Sequence, residues 1–158
     1  MSGLSHLIRA ELVVIDPSAR TADEVIDSLA RSLVDAGLAH EGLVAAALAR
    51  EAEFPTGLAL TGPANVAIPH ADPEFAQTPA VAIATFTEPV LFRRMDDPDE
   101  QIPVRLVIFL ALTDGASQLQ TLRSLSTLLQ NGALVAATLE ARTPEALIAA
   151  LTIEETAA

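Results

Sequence analysis

"VRLVIFLALT" (residues 104–113) is apolar apart from Arg105 and Thr113, rich in β-branched residues, and closed by Asp114-Gly115. The run lacks the polar alternation of a half-exposed strand and is too short for a typical buried helix. It therefore predicts a strand covered on both faces. Upstream, "AVAIATFT" (residues 80–87) predicts a second strand of the same kind. Between the two, "EPVLFRRMDDPDEQIP" predicts a short edge strand at residues 90–92 and then an acidic surface loop. Downstream, "ASQLQTLRSLSTLLQN" (residues 116–131) places Leu119, Leu122, Leu125, Leu128 and Leu129 on one helical stripe, with Asn131-Gly132 as a stop signal.

Toward the N-terminus, "ELVVI" (residues 11–15) reads as a further strand. Thr21 can then cap a helix, with Glu24 three residues on as in a capping box, and Val25, Leu29, Leu33 and Val34 follow helical spacing to Gly37. "EGLVAAALAREAEF" (residues 41–54) predicts a second helix, alanine-rich and largely buried, which ends before Pro55 because the residue preceding proline avoids the helical region. That boundary puts Arg50 and Glu51 in its last turn. A glycine- and proline-rich connection leads into "NVAIPHAD" (residues 65–72), and a final helix is expected from Thr143-Pro144 to about residue 151. These elements predict an α/β fold, a three-layer-like sandwich with a mixed central sheet flanked by helices. Mixed is preferred to purely parallel because the strand candidates within residues 80–112 are joined by short links. The expectation is a single domain over residues 1–158, with its core at about 8–152.

Composition narrows the chemistry. About half of the 158 residues are apolar, so a core can form without disulfides or metal, and there is no cysteine to supply either. A net charge of −12 with scattered arginines argues against nucleic acid and anionic lipid, which select for a basic stripe. Every basic residue is arginine, so Schiff-base and P-loop lysine chemistry are excluded. The aromatics are all phenylalanine, which disfavours stacking platforms for bases or sugars. The N-terminal residues show no signal-peptide pattern and no apolar run reaches membrane-spanning length, so a cytoplasmic protein is expected.

His70, one of three histidines, follows Pro69 at the end of a short apolar run. Its imidazole can serve as nucleophile, general base or metal ligand, and the proline restrains both its own φ and Ile68, so the ring projects from a rigid strand end. The ordinary alternative is one structural hydrogen bond at a strand terminus. A metal site would join His70 to Asp72 and to Asp96, Asp97 or Asp99. No helical ligand spacing or H-E-x-x-H supports it, Pro98 interrupts the acids, and a solvated loop accounts for them better. A hydrolase using His70 and Asp72 lacks a G-x-S-x-G elbow. Arg50 is costly at the end of a buried helix unless it meets an anion or pairs with Glu51, Glu53 or another acid. If the anion is an exogenous phosphoryl group, Arg50 and His70 form a coherent pair of charge stabiliser and nucleophile.

"AREAEFPTGLAL" and "NVAIPHAD", followed by "VRLVIFLALTDGASQLQTLRSLSTLLQN", resemble the enzyme IIA (EIIA) components of the bacterial phosphoenolpyruvate-dependent sugar phosphotransferase system, fructose–mannitol superfamily (EIIA type 2). The wording "FPTG", "PHAD" and "SQL" is most similar to galactitol-type EIIA, and the resemblance spans roughly residues 8 to 152. It implies a phosphotransferase in which His70 accepts a phosphoryl group from the carrier HPr and passes it to a cysteine of EIIB, serving a membrane EIIC indirectly. Neither cofactor nor metal is implied. Arg50 would hold the phosphoryl group. Gln118 stands where mannitol- and nitrogen-type members carry a second histidine, and could offer an amide hydrogen bond. His6 and His40 match no family position and read as surface residues. Docking two partners in turn implies an exposed apolar patch around His70. A regulatory, nitrogen-type role is the alternative, which Gln118 disfavours.

Overall fold

A computed structural model describes residues 4–152. Strand β1 (Ile8–Ile15) is followed by helices α1 (Ala22–Asp35) and α2 (Leu43–Glu53), and then by short strands β2 (Gly57–Leu58) and β3 (Asn65–Ala67). Two long strands, β4 (Ala80–Arg93) and β5 (Gln101–Ala111), lead to α3 (Gly115–Leu128), α4 (Gly132–Glu140) and α5 (Pro144–Leu151). The five strands form one sheet in the order β1-β4-β5-β3-β2. The β1/β4 and β3/β5 pairs are parallel, whereas β4/β5 and β2/β3 are antiparallel, so the sheet is mixed as the short links required.

Period-two alternation along the strands assigns each face to one helical layer. Ala80, Ala82 and Ala84 of β4, with Val107 and Phe109 of β5, pack against Ile26, Leu29 and Leu33 of α1 and Leu43 and Ala47 of α2. Val81 and Ile83, with Leu106, Ile108 and Leu110, face Leu125, Leu134, Val135 and Leu147 on the other side. The stretch Leu106 to Leu110 is at most 1 % exposed, the continuous apolar strand that its sequence demanded.

Several local expectations need correction. Residues 90–92 are not a separate edge strand but the far half of β4, in register with Ile102 to Val104 of β5. The register slips between Thr85 and Val90, where Pro89 has no N–H to give a ladder, and a bulge absorbs it. Helix α2 is buried only along Leu43, Ala47 and Glu51, a single i, i+4 stripe, instead of over most of its surface. Leu119 leaves the predicted apolar stripe of α3 and is exposed, while Leu125 and Leu129 carry the burial. Asn131-Gly132 does mark the end of α3, but it also opens α4, a helix with no counterpart in the sequence-based expectation. The Asn131 side-chain oxygen accepts from Leu134 N at 3.2 Å. At the other end of the chain, Thr21 Oγ1 accepts from Glu24 N at 3.1 Å as a capping residue should, and Gly37 turns out of α1 at φ 79.

Among the described residues no helix is long and apolar enough to cross a membrane.

Gly57 is where β2 meets the end of β4. A Cβ there would lie 2.6 Å from the Arg93 carbonyl oxygen, a backbone atom that cannot step aside. Gly57→Ala is therefore expected to cost about 1–3 kcal/mol through overpacking, and Asn131→Ala about 1 kcal/mol through the lost cap. Both losses are measurable as lower urea midpoints at unchanged slope. A Gly57→Ala protein as stable as the parent would show that the β2–β4 approach is not a constraint.

Candidate functional site

His70 sits where β3 runs out. Beyond Ala67 the chain continues beside β5, with Leu110 N donating to Pro69 O at 3.1 Å and a parallel bridge between His70 and Leu110. The ring is buried, at 6 % exposure, and His70 Nδ1 lies 2.9 Å from Ile68 O. A carbonyl oxygen can only accept, so Nδ1 carries the proton and Nε2 the lone pair. Burial pushes the imidazole pKa below its ordinary 6.5 and the Arg50 charge pushes the same way, against the Ile68 bond and the Asp72 charge. The ring is thus neutral at physiological pH, with a nucleophilic nitrogen held in one orientation.

Arg50 projects from the last turn of α2, with its Cζ 5.4 Å from the centre of the Phe54 ring. Its Nη1 lies 3.5 Å from Asp72 Oδ1, a loose pair between half-exposed and exposed groups, and such pairs contribute little. The Arg50 Nε is buried and has no acceptor among the described residues. Arg50, Phe54, Asp72 and Phe75 line a cleft of 210 Å³ between α2 and the turn after His70.

The acid beside Arg50 is therefore Asp72 and not Glu51 or Glu53. The Glu51 carboxylate is turned inward to accept from Thr56 N at 3.0 Å and Thr56 Oγ1 at 2.8 Å, and Glu53, although it lines the same cleft, makes no ion pair with Arg50 among the described residues. The hydrolase alternative loses its geometry as well, because the His70 Nδ1 proton goes to Ile68 O and not to Asp72. Of the acids in the metal alternative, Asp96 is engaged by Arg94 at 2.7 Å, and among the described residues no group of three or more histidines and acids, Asp97 and Asp99 included, is placed to hold a metal ion.

Gln118 lies in the first turn of α3, directly after the strand that flanks His70, and its N–H donates to Asp114 O at 3.1 Å. Its Oε1 is buried without a donor among the described residues. Among the described residues no hydrogen bond joins Gln118 to His70 or Arg50. His6 and His40 are exposed, as expected.

Sequence reasoning did not anticipate the Ile68 carbonyl that fixes the imidazole, the Phe54 ring beside Arg50, or the Glu51–Thr56 contact. The last had a signal: a carboxylate and a hydroxyl on either side of a helix-ending proline, spaced to close a turn.

The chain matches the model of the family described as the phosphoenolpyruvate-dependent sugar phosphotransferase system, EIIA 2, over residues 6–153. It is 34% identical to the galactitol-specific EIIA component of Escherichia coli strain K12 over 128 residues, 81% of each chain. Its fold is similar to that of the mannitol enzyme IIA of Escherichia coli solved in complex with phosphorylated mannitol enzyme IIB (TM-score 0.75, 24% identity, 92% of this chain and 99% of that one). It is similar too to the nitrogen regulatory protein IIA-Ntr of Neisseria meningitidis (TM-score 0.76, 23% identity, 94% and 98% coverage). On the family match and the galactitol-type relative, the chain belongs to the EIIA type-2 phosphotransferase components of the phosphoenolpyruvate-dependent sugar phosphotransferase system.

Proposed function

We propose that His70 is the phosphoryl carrier of a cytoplasmic EIIA domain, accepting from the phosphohistidine of HPr and donating to a cysteine of EIIB. One observation carries this reading: the imidazole is locked with Nδ1 on Ile68 O and Nε2 free, beside an arginine whose buried Nε lacks an acceptor. In the first transfer the Nε2 lone pair attacks phosphorus while the donor P–N bond breaks and its electron pair returns to the donor ring. Arg50 opposes the charge on the equatorial oxygens of a loose transition state. The phosphorylated His70 ring then carries positive charge, and Ile68 O keeps the Nδ1 proton in place. That charge makes the ring a ready leaving group when the EIIB thiolate attacks and the pair returns to Nε2. Gln118 is the second phosphoryl contact in this reading, its side-chain NH₂ donating to a phosphoryl oxygen without adding charge.

Phe54 and Leu119 are 55% and 50% exposed, each close in sequence to a site residue, and they supply the apolar surface on which HPr and EIIB dock in turn. The galactitol-type relative supports a role in uptake of a sugar alcohol through a membrane EIIC. Likeness to IIA-Ntr extends to the fold alone, and glutamine at position 118 favours the sugar branch over a regulatory one.

Incubation with phosphoenolpyruvate, enzyme I and HPr is expected to load one acid-labile phosphate on the protein and none on His70→Ala. Failure of the unmodified protein, or loading of the variant, would end the proposal. Arg50→Gln is expected to slow loading about a hundredfold, the scale of losing one preorganised charge contact.

The pH dependence has a definite sign. Because the folded-state pKa of His70 lies below 6.5, loading stays level from neutral pH down to that value and falls only as pH drops through the lowered pKa. The same shift makes folding stability decline earlier, as pH falls from the ordinary 6.5 of the unfolded chain to the lowered folded-state pKa, because over that range the unfolded chain binds the extra proton. Arg50→Gln moves the acid limb to higher pH and Asp72→Asn moves it lower, because the two charges act on the imidazole in opposite directions. Equal acid limbs in all three proteins would show that these charges do not reach the ring.

A further inference from the structure

We propose that Glu51 and Thr56 are a positioning pair that sets the orientation of both Arg50 and His70. Glu51 is the only buried acid among the described residues, at 8% exposure, and nothing in the phosphoryl chemistry uses it. Its carboxylate accepts both donors of Thr56, the backbone N–H and the hydroxyl. Thr56 O in turn accepts from Ile68 N at 3.3 Å, and Ile68 O accepts the His70 Nδ1 proton at 2.9 Å. The chain of contacts therefore runs without a gap from the residue next to Arg50 to the imidazole. Its other end is held as well: Arg93 of β4 donates through Nη2 to the carbonyls of Glu51, at 3.2 Å, and Ala52, closing the C-terminal turn of α2.

This arrangement has an evident cost, since burial holds the Glu51 carboxyl above its ordinary pKa despite the Thr56 bonds and the Arg93 charge. A buried acid that only joined helix to loop could be replaced by an apolar residue at no loss of packing. What an apolar residue could not do is fix Thr56 through two bonds at once. Loosening Thr56 frees the Ile68 peptide, and with it the carbonyl that chooses the tautomer of His70. Glu51 and Thr56 touch no reacting atom, so they act through Arg50 and His70.

The proposal rests on His70 as the phosphoryl acceptor, and its test reads the free protein first, so the two can fail separately. The ring ¹⁵N shifts of His70 report the tautomer directly. The unmodified protein is expected to show protonated Nδ1 and bare Nε2, with Thr56 and Ile68 amides exchanging as slowly as those of the central strand; rapid exchange at either amide overturns the pair. Thr56→Val is expected to raise the Nε2–H tautomer several-fold and to slow phosphate loading about tenfold, the low end of what losing a supporting hydrogen bond costs a site. Thr56→Ser is expected to restore both. Glu51→Gln should also retain both, since its oxygen can accept the Thr56 N–H while its NH₂ donates to Oγ1. A folded Thr56→Val protein with the parental tautomer ratio refutes the proposal, whatever its thermal midpoint. Loss of phosphate loading in the unmodified protein with the tautomer as expected would instead remove the carrier function and leave the positioning pair standing.

Discussion

The long antiparallel ladder between β4 and β5 is the constraint on which the rest of this molecule depends. It runs from Ala80 opposite Ala111 to Arg93 opposite Gln101, with a slip between Thr85 and Val90 that lets both strands stay paired past Pro89. Because the centre of each strand is apolar on both faces, the ladder can exist only between two helical layers. Its ends then determine what is possible there. At one end, Leu110 gives β3 a rail along which residues 69 and 70 are carried beyond the regular strand. At the other, Arg93 reaches the last carbonyls of α2. His70 and the helix bearing Arg50 are thus both referred to one rigid body.

The site itself is economical in charge. One arginine, one exposed carboxylate and a neutral imidazole make up its charge, a set that would suit the proposed cargo, which travels with its own negative charge. The carbonyl of Ile68 gives the ring its handedness without adding a charge, which a carboxylate in that place would do. A carboxylate there would also raise the imidazole pKa and hold the ring protonated further into the neutral range. A backbone oxygen leaves the Nε2 lone pair bare.

Much of this was legible in the chain, and the reasons for the remainder are physical. The buried strands were readable because burial on both faces leaves an uninterrupted apolar run, and α1 because Thr21, Glu24 and Gly37 signal its ends chemically. The unity of β4 was not, because a proline in a strand reads as an interruption unless a bulge is known to absorb it. Helix α4 was hidden by an ambiguity in Asn131-Gly132, a pair suited equally to ending one helix and capping the next. The expectation that His70 and Arg50 act as a pair came from motif resemblance and the cost of an unpaired guanidinium. That Asp72, and not Glu51 or Glu53, would stand beside Arg50 depends on which way side chains turn at the end of α2, and local sequence does not encode that direction. The Ile68 carbonyl could not have been found at all, since every residue has one.

The loose pairing of Arg50 with Asp72 has a thermodynamic consequence for a relay. A way station that bound its cargo too well would become a sink, and a site with an unopposed guanidinium would lean that way. Here a carboxylate already shares the cation at 3.5 Å, so a phosphoryl group entering the proposed site would meet a competitor of its own sign. In the proposed relay that repulsion would take a little from the gain of meeting Arg50 and so favour passing the group on over keeping it.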